Sequence, residues 1–270
     1  MGVGHPLYNP PVDYEQSDAA ERYAVGRHLS DATQQLWLES IAKHVDGDAI
    51  RVIVDIGSGT GRLTCALARY FHALAIGVEP GAGMRERARR DASDDDPQPC
   101  GSVEFVGGAG ESIPLDVASA DLVFLSMVWH HLSDRPRALV EIDRVLRSGR
   151  WFVVRTPTVE SVASLRYLEW FPEAAALNAA RLPGRDAVIR EAQAAGFRLV
   201  HQATVRQRSD DSLVEYAERV ATRAYSDLAQ LPAPLFERGL AALRRAAATD
   251  TGPVDEDVEL FVFTAAAAAE

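Results

Sequence analysis

Arg51-Val52-Ile53-Val54-Asp55-Ile56-Gly57-Ser58-Gly59-Thr60-Gly61-Arg62 reads as a buried parallel strand that runs into a glycine turn and then a helix. Val52, Ile53, Val54 and Ile56 make the near-continuous β-branched run of a strand covered on both faces. Gly57, Gly59 and Gly61 allow the chain to turn sharply and lie close against a ligand, because no Cβ obstructs the approach. Behind them Leu63, Leu67 and Tyr70 recur at helical spacing, so the first N–H groups of that helix point back at whatever the turn holds. A dinucleotide fingerprint requires a third glycine where this chain has Arg62. The chain has instead Gly-x-Gly-x-Gly, with an acid, Asp55, two residues before the first glycine.

Downstream, Ala75-Ile-Gly-Val-Glu79-Pro80 is a short apolar strand ending in an acid. Its distance from the glycines, about twenty residues, suits a carboxylate that accepts both ribose hydroxyls of a nucleoside. Val103 to Val106 is a third strand with an exit loop from Gly107 to Pro114. Ala120 to Leu132 supplies a fourth strand and its exit, which brings Ser126, His130 and His131 to the crevice at the strand ends. Asp134 caps a following helix, Pro136 sits just inside it, and Ala138, Leu139, Ile142, Val145 and Leu146 form its buried stripe. Ser148-Gly149 ends the helix and Trp151 to Pro157 is the fifth strand. Strand and helix alternate throughout, which predicts a doubly wound parallel sheet with right-handed crossovers.

These residues resemble the class I methyltransferases that use S-adenosylmethionine, and the His130-His131 pair after the fourth strand is similar to type 11 members of that class, the ubiquinone and menaquinone type. The resemblance covers roughly residues 20–264. It implies a Rossmann-like seven-stranded sheet whose last strand is antiparallel, with S-adenosyl-L-methionine as cofactor. Asp55, Gly57, Ser58, Gly59 and Gly61 would hold the methionine end, Glu79 with Pro80 the ribose, and Met84 the adenine side. Tyr23 and Arg27 match a pair that closes over the cofactor carboxylate from an N-terminal helix. Where the family usually has Gly-Asp-Ala-Glu, this chain has Gly108, Ala109, Gly110 and Glu111. The Asp that holds the adenine amino group is replaced by Ala109, so the contact falls to the backbone near Gly110, to Glu111 or to water. Ser126 would lie beside the methyl group. His130 or His131 would serve as base if the acceptor must lose a proton at neutral pH.

The remaining segments elaborate this unit. Residues 1–16 read as an extension. From about Ser17 to Val45 the pattern is helical, with Leu29, Leu36, Leu38, Ile41 and Ala42 as buried positions. Residues 158–182 form a helical cap insertion with bulky apolar side chains, Leu165, Tyr167, Leu168, Trp170, Phe171 and Leu177, either a lid over an acceptor or a packed helical hairpin. Arg185 to Ala195 is a further helix, Phe197 to Val205 a sixth strand, 210–248 helical again, and Asp257 to Thr264 the last strand. Residues 265–270 are a tail.

Composition bounds the partners. With 270 residues and 47% hydrophobic content the chain can bury a good core as one elaborated domain. The net charge of -11 repels phosphate backbones, and no Lys and Arg cluster offsets it, so nucleic acid is not the expected substrate. Asp94 to Asp96, between breakers, read as a solvated loop and not a metal site. Cys65 and Cys100 make no metal pattern or disulfide framework. The absence of a leader pattern or a membrane-length apolar run predicts a soluble, cytoplasmic protein. The expected function is methyl transfer to an O, N or C atom of a small-molecule acceptor, uncharged or cationic and partly apolar. An NAD-binding Rossmann oxidoreductase and a non-catalytic cofactor-binding scaffold are the alternatives. Oligomeric state is open, a homodimer included.

Overall fold

The computed structural model describes residues 29–93 and 102–266. Seven strands form one sheet: β1 (Val52–Ile56), β2 (Leu74–Val78), β3 (Val103–Val106), β4 (Ala120–Ser126), β5 (Leu146–Thr156), β6 (Arg198–Asp210) and β7 (Val254–Thr264). Their order is β3-β2-β1-β4-β5-β7-β6. The first five strands pair parallel, and β7 lies antiparallel between β5 and β6. Strand order reverses between β1 and β4, which opens a crevice at their carboxyl ends.

Alternation along the strands divides the core between the two faces of the sheet. Val54, Ile56, Val123, Leu125 and Val154 face α4 (Arg135–Val145) and α6 (Arg185–Ala194), where Ala138, Leu139, Ile142, Val188 and Ala192 close the layer. Ile53, Leu122, Phe124 and Val153 face α1 (Asp31–Ala42) and α2 (Arg62–Phe71), where Trp37, Leu38, Ile41 and Leu67 do the same. The third flanking helix of the first half is α3 (Ala82–Ser93). α1 begins at Asp31, where Ser30 Oγ accepts the Thr33 N–H at 3.2 Å. Asp134 caps α4 in the same way, taking the Arg137 N–H at 3.0 Å. Among the positions expected to be buried here, Leu38 and Ile41 are, Leu36 and Ala42 only partly, and Trp37 is the larger anchor. β5 starts at Leu146, not after Gly149: Leu146 pairs with Ala120, and the strand carries an irregularity that includes Gly149 at φ 72° before Trp151 resumes the ladder.

The 158–182 insertion does not stand alone. It contains two short 3-10 turns and α5 (Glu173–Arg181), and it packs on α7 (Leu213–Ala221), α8 (Ser226–Gln230) and α9 (Ala233–Ala247), which lie between β6 and β7. Tyr167, Phe171 and Ala174 share a buried cluster with Tyr216, Leu228 and Phe236. At its centre the Tyr167 hydroxyl donates to Asp227 Oδ2 at 2.7 Å, and Asn178 Nδ2 donates to the same oxygen at 2.7 Å. The aromatic residues therefore build a helical cap with its own core. Among the described residues no helix is long and apolar enough to cross a membrane.

Candidate active site

The glycine turn takes its shape from three left-handed residues, Gly57, Gly59 and Gly61, at φ 68°, 56° and 77°. The Gly57 N–H donates to Val78 O at 2.7 Å, which draws the turn across to the end of β2. A Cβ on Gly57 would collide with Val128, and one on Gly110 would stand 2.7 Å from Leu132 Cδ2. Gly61 has a different task. It is buried under Phe105, whose Cε1 would be 2.7 Å from an added Cβ, and it lines neither of the two cavities at the turn.

Two buried acids flank the turn. Asp55, at the end of β1, is 2% exposed, and its Oδ2 accepts the Thr64 hydroxyl at 2.6 Å. Burial, aided by the charge of Glu79, pushes the Asp55 carboxyl up to about 7 against the pull of Thr64. Glu79 Oε2 accepts the Gly59 N–H at 3.0 Å and its Oε1 accepts the Gly81 N–H at 2.8 Å. Burial also raises the Glu79 carboxyl, more than these backbone donors lower it. Each carboxylate oxygen keeps a second lone pair for a ligand hydroxyl.

The first cavity, of about 270 Å3, runs along Gly57 and Gly59 and is bounded by Glu79, Pro80, Met84, Gly110, Glu111, Ser126 and His131. Ile56, Val128 and Leu132 complete its apolar walls. Its size is near the lower end of ligand sites, roughly 300 Å3. The second cavity, of about 100 Å3, is polar and is reached from the same turn: Asp55, Ser58, Ser126, His130 and His131 line it with Arg155, Gln207, Arg219 and Glu256. Ser58 Oγ is buried and sits over Gly77, where an added Cβ would come within 2.7 Å of it.

The fourth strand ends where the two cavities meet. Met127 is held at φ 61°, a conformation that costs a non-glycine residue on the order of 1 kcal/mol or more, and its N–H donates to Arg155 O at 2.7 Å. A 3-10 turn, Trp129–His131, then presents the imidazoles of His130 and His131 with ring centres 4.3 Å apart. His131 is exposed and His130 half-buried. Glu111 is tied elsewhere: its Oε1 accepts from the Ser133 N–H and hydroxyl and from the Asp134 N–H at 2.7, 2.8 and 3.1 Å, stapling its loop to the start of α4. Although burial raises the Glu111 carboxyl, those donors outweigh it and hold it below its ordinary value.

The structure thus brings Asp55, Gly57, Ser58, Gly59, Glu79, Pro80, Met84, Gly110, Glu111, Ser126, His130 and His131 to one composite crevice. Tyr23 and Arg27 lie outside the described residues. Sequence reading missed Arg155, Gln207, Arg219 and Glu256. Arg155 left one trace, a charge inside the otherwise apolar run Trp151-Phe-Val-Val-Arg155. None of the aromatic residues of the 158–182 insertion lines either cavity. Among the described residues no three His, Cys, Asp or Glu side chains form a metal cluster.

Residues 54–154, from within β1 to within β5, match the family model described as a methyltransferase domain. That segment of the chain is similar to a methyltransferase domain. The chain is 28% identical over 165 residues to the malonyl-[acyl-carrier protein] O-methyltransferase of Nitrosospira multiformis, covering 57% of this chain and 50% of that protein. It is 32% identical over 137 residues to the demethylmenaquinone methyltransferase of Clavibacter sepedonicus, covering 50% of this chain and 54% of that one. The chain thus spans about half the length of the curated relatives it matches. The crystal structure of the YcgJ protein from Bacillus subtilis superposes with a TM-score of 0.59 at 18% identity, over 86% of this chain and 98% of that one, and shares the fold. The class I methyltransferase fold, a Rossmann-like doubly wound sheet with an antiparallel last strand, is the fold of this domain.

Proposed function

We propose that the protein transfers a methyl group from S-adenosyl-L-methionine to an oxygen, nitrogen or carbon atom of a small-molecule acceptor. One observation carries the reading: an apolar slot, walled by Ile56, Met84, Val128 and Leu132, ends at a buried carboxylate, Glu79, that is already tied to the glycine turn. A flat base fits such walls and a pair of ribose hydroxyls fits such a carboxylate. The residues present therefore fit the cofactor. Glu79 and Pro80 would hold the ribose, Met84 and the Gly110 backbone the base, and Asp55 with the 57–59 turn the amino-acid end, with Tyr23 and Arg27 as partners for its carboxylate.

When bound, the cofactor supplies a methyl group on a sulfonium, ready for in-line displacement. The chain's own work is positioning: it holds the acceptor atom near ~3 Å from that carbon and excludes water. Ser126 and Met127 stand where the apolar slot and the polar cavity meet, beside the place where the methyl group would lie in this reading. A phenol or activated carbon must lose a proton, which in this reading His130 or His131 takes; a neutral amine needs no base. The named relatives, one an O-methyltransferase, support methyl transfer by this domain.

The test is transfer of labelled methyl from S-adenosylmethionine to a panel of phenols and amines by the wild-type protein, His130→Ala and His131→Ala. The base role predicts that one variant loses phenol methylation by on the order of a hundredfold while cofactor affinity holds. Full transfer by both variants removes that role. Transfer to no acceptor, with NAD bound in place of the cofactor, would overturn the function itself.

A further inference from the structure

Four described residues other than glycine have positive φ: His72, Ala118, Met127 and Arg223. Three of them only reverse the chain. His72 closes α2, with its N–H on Ala68 O and Arg69 O; Arg223 follows α7, with its N–H on Val220 O; Ala118 turns the loop before β4, with its N–H on Arg144 O. None of these three lines either cavity at the glycine turn, whereas Met127 lines both.

Met127 is held in this conformation from both sides. Before it, Ser126 is fixed by its register with Arg155 at the end of the β4–β5 ladder, and its Oγ accepts from Arg155 at 3.0 Å. After it, Val128 packs so close to Gly57 that an added Cβ there would lie 2.4 Å from Val128 Cγ2, and Trp129 is fully buried. The Met127 N–H on Arg155 O, at 2.7 Å, completes the clamp. Glycine or asparagine would take a left-handed backbone at less cost. Strain that fixed neighbours maintain, at the junction of two ligand cavities, points to a task for the side chain.

Four residues line both cavities, Gly57, Ser126, Met127 and His131, and of these Met127 alone brings an apolar side chain. That side chain is half-buried and packs against the cluster that includes Trp37 and Phe124. In the function proposed above, the cofactor crosses this junction between its ribose, on Glu79, and its amino-acid end, by Asp55. The group between those two ends is the sulfonium with its methyl. A thioether is apolar and polarisable and carries no proton, so it covers a cationic methyl centre without exchanging a proton with it.

Resting on the methyltransferase reading of the site, we infer that Met127 bears on the sulfonium methyl group of the cofactor, and that its left-handed backbone serves to aim it there. The contact belongs to S-adenosylmethionine and not to S-adenosylhomocysteine, which has the same ribose and amino-acid ends but no methyl. Met127 thus favours the loaded cofactor over the spent one.

Met127→Ala and Met127→Gly test this by calorimetry with the two ligands and by urea unfolding. Both variants lose the side chain, so each should weaken S-adenosylmethionine by on the order of fourfold, the scale of one buried methyl group, while S-adenosylhomocysteine binds as it does to the wild type. Only glycine releases the backbone, so the urea midpoint of Met127→Gly should lie above that of Met127→Ala, the reverse of their order where φ is negative. An unchanged ratio of the two affinities in the variants, or a Met127→Ala midpoint at or above that of Met127→Gly, overturns the inference while leaving the cofactor site intact. Failure of the wild type to bind either ligand overturns the methyltransferase reading, and this inference with it.

Discussion

Glu79 Oε2 and the Gly59 N–H are joined at 3.0 Å, so the acid that ends β2 is hydrogen-bonded to the glycine turn that ends β1. The other oxygen of the same carboxylate takes the Gly81 N–H at 2.8 Å. One side chain therefore ties together the two loops that, in the proposed function, hold one ligand. Stability, loop order and affinity are coupled through it.

The raised Asp55 carboxyl gives the fold an unusual pH dependence. In the folded protein it titrates at about 7 instead of its ordinary 3.8, so between these values the folded state binds more protons than the unfolded one. Stability is then highest below about 4 as far as this group is concerned, and falls as pH rises toward 7. At ~1.4 kcal/mol per pKa unit the loss is on the order of 4 kcal/mol. Glu79, also raised by burial, acts in the same direction. Urea unfolding of the ligand-free protein from pH 5 to 8 should show this decline, and Asp55→Asn should flatten it; an identical slope in the variant would refute the assignment.

Gly61 should be less replaceable than Gly149, although both have positive φ, 77° and 72°. An alanine Cβ at Gly61 meets Phe105 Cε1 at 2.7 Å and Ala88 Cβ at 3.1 Å, whereas nothing lies within 4 Å at Gly149. Gly61→Ala combines left-handed strain with overpacking, roughly 2–5 kcal/mol, and Gly149→Ala carries the strain alone, about 1 kcal/mol. Denaturant midpoints of the two variants compare them directly, and equal losses would contradict the packing argument.

In the cap, Tyr167 is a buried donor. Burial, then the charge of Asp227, pushes its phenol well above the usual range, so the hydroxyl stays protonated. Tyr167→Phe leaves Asp227 Oδ2 with Asn178 but without this bond, and should cost about 1–3 kcal/mol. Because Tyr167 lines neither cavity at the turn, affinity for S-adenosylhomocysteine should be unchanged. A large loss of affinity would mean that the cap controls the cofactor side.

What could be read from the sequence was what is local in the chain. β1, its glycines and α2 are contiguous, and Glu79 announces itself by ending the next apolar strand. The antiparallel β7 followed from the family resemblance and is seen between β5 and β6. The far end of the polar cavity was not readable, because Trp37, Arg155 and Gln207 meet only through sheet pairing and helix packing across some 170 residues. For the same reason the insertion stayed open between a lid and a packed hairpin: α7 to α9, much later in the chain, supply the surface that buries Tyr167 and Phe171. Gly61 was assigned to the ligand by its motif position, yet Phe105, more than forty residues on, is what it accommodates.

The most direct measurement is calorimetric titration of the protein with S-adenosylmethionine, S-adenosylhomocysteine and NAD, repeated on Glu79→Ala. The account predicts that the first two bind and NAD does not, and that the variant loses at least on the order of tenfold in affinity through the broken turn and the missing ribose acceptor. Binding of NAD alone, or equal affinity for S-adenosylhomocysteine in the wild type and Glu79→Ala, would contradict it.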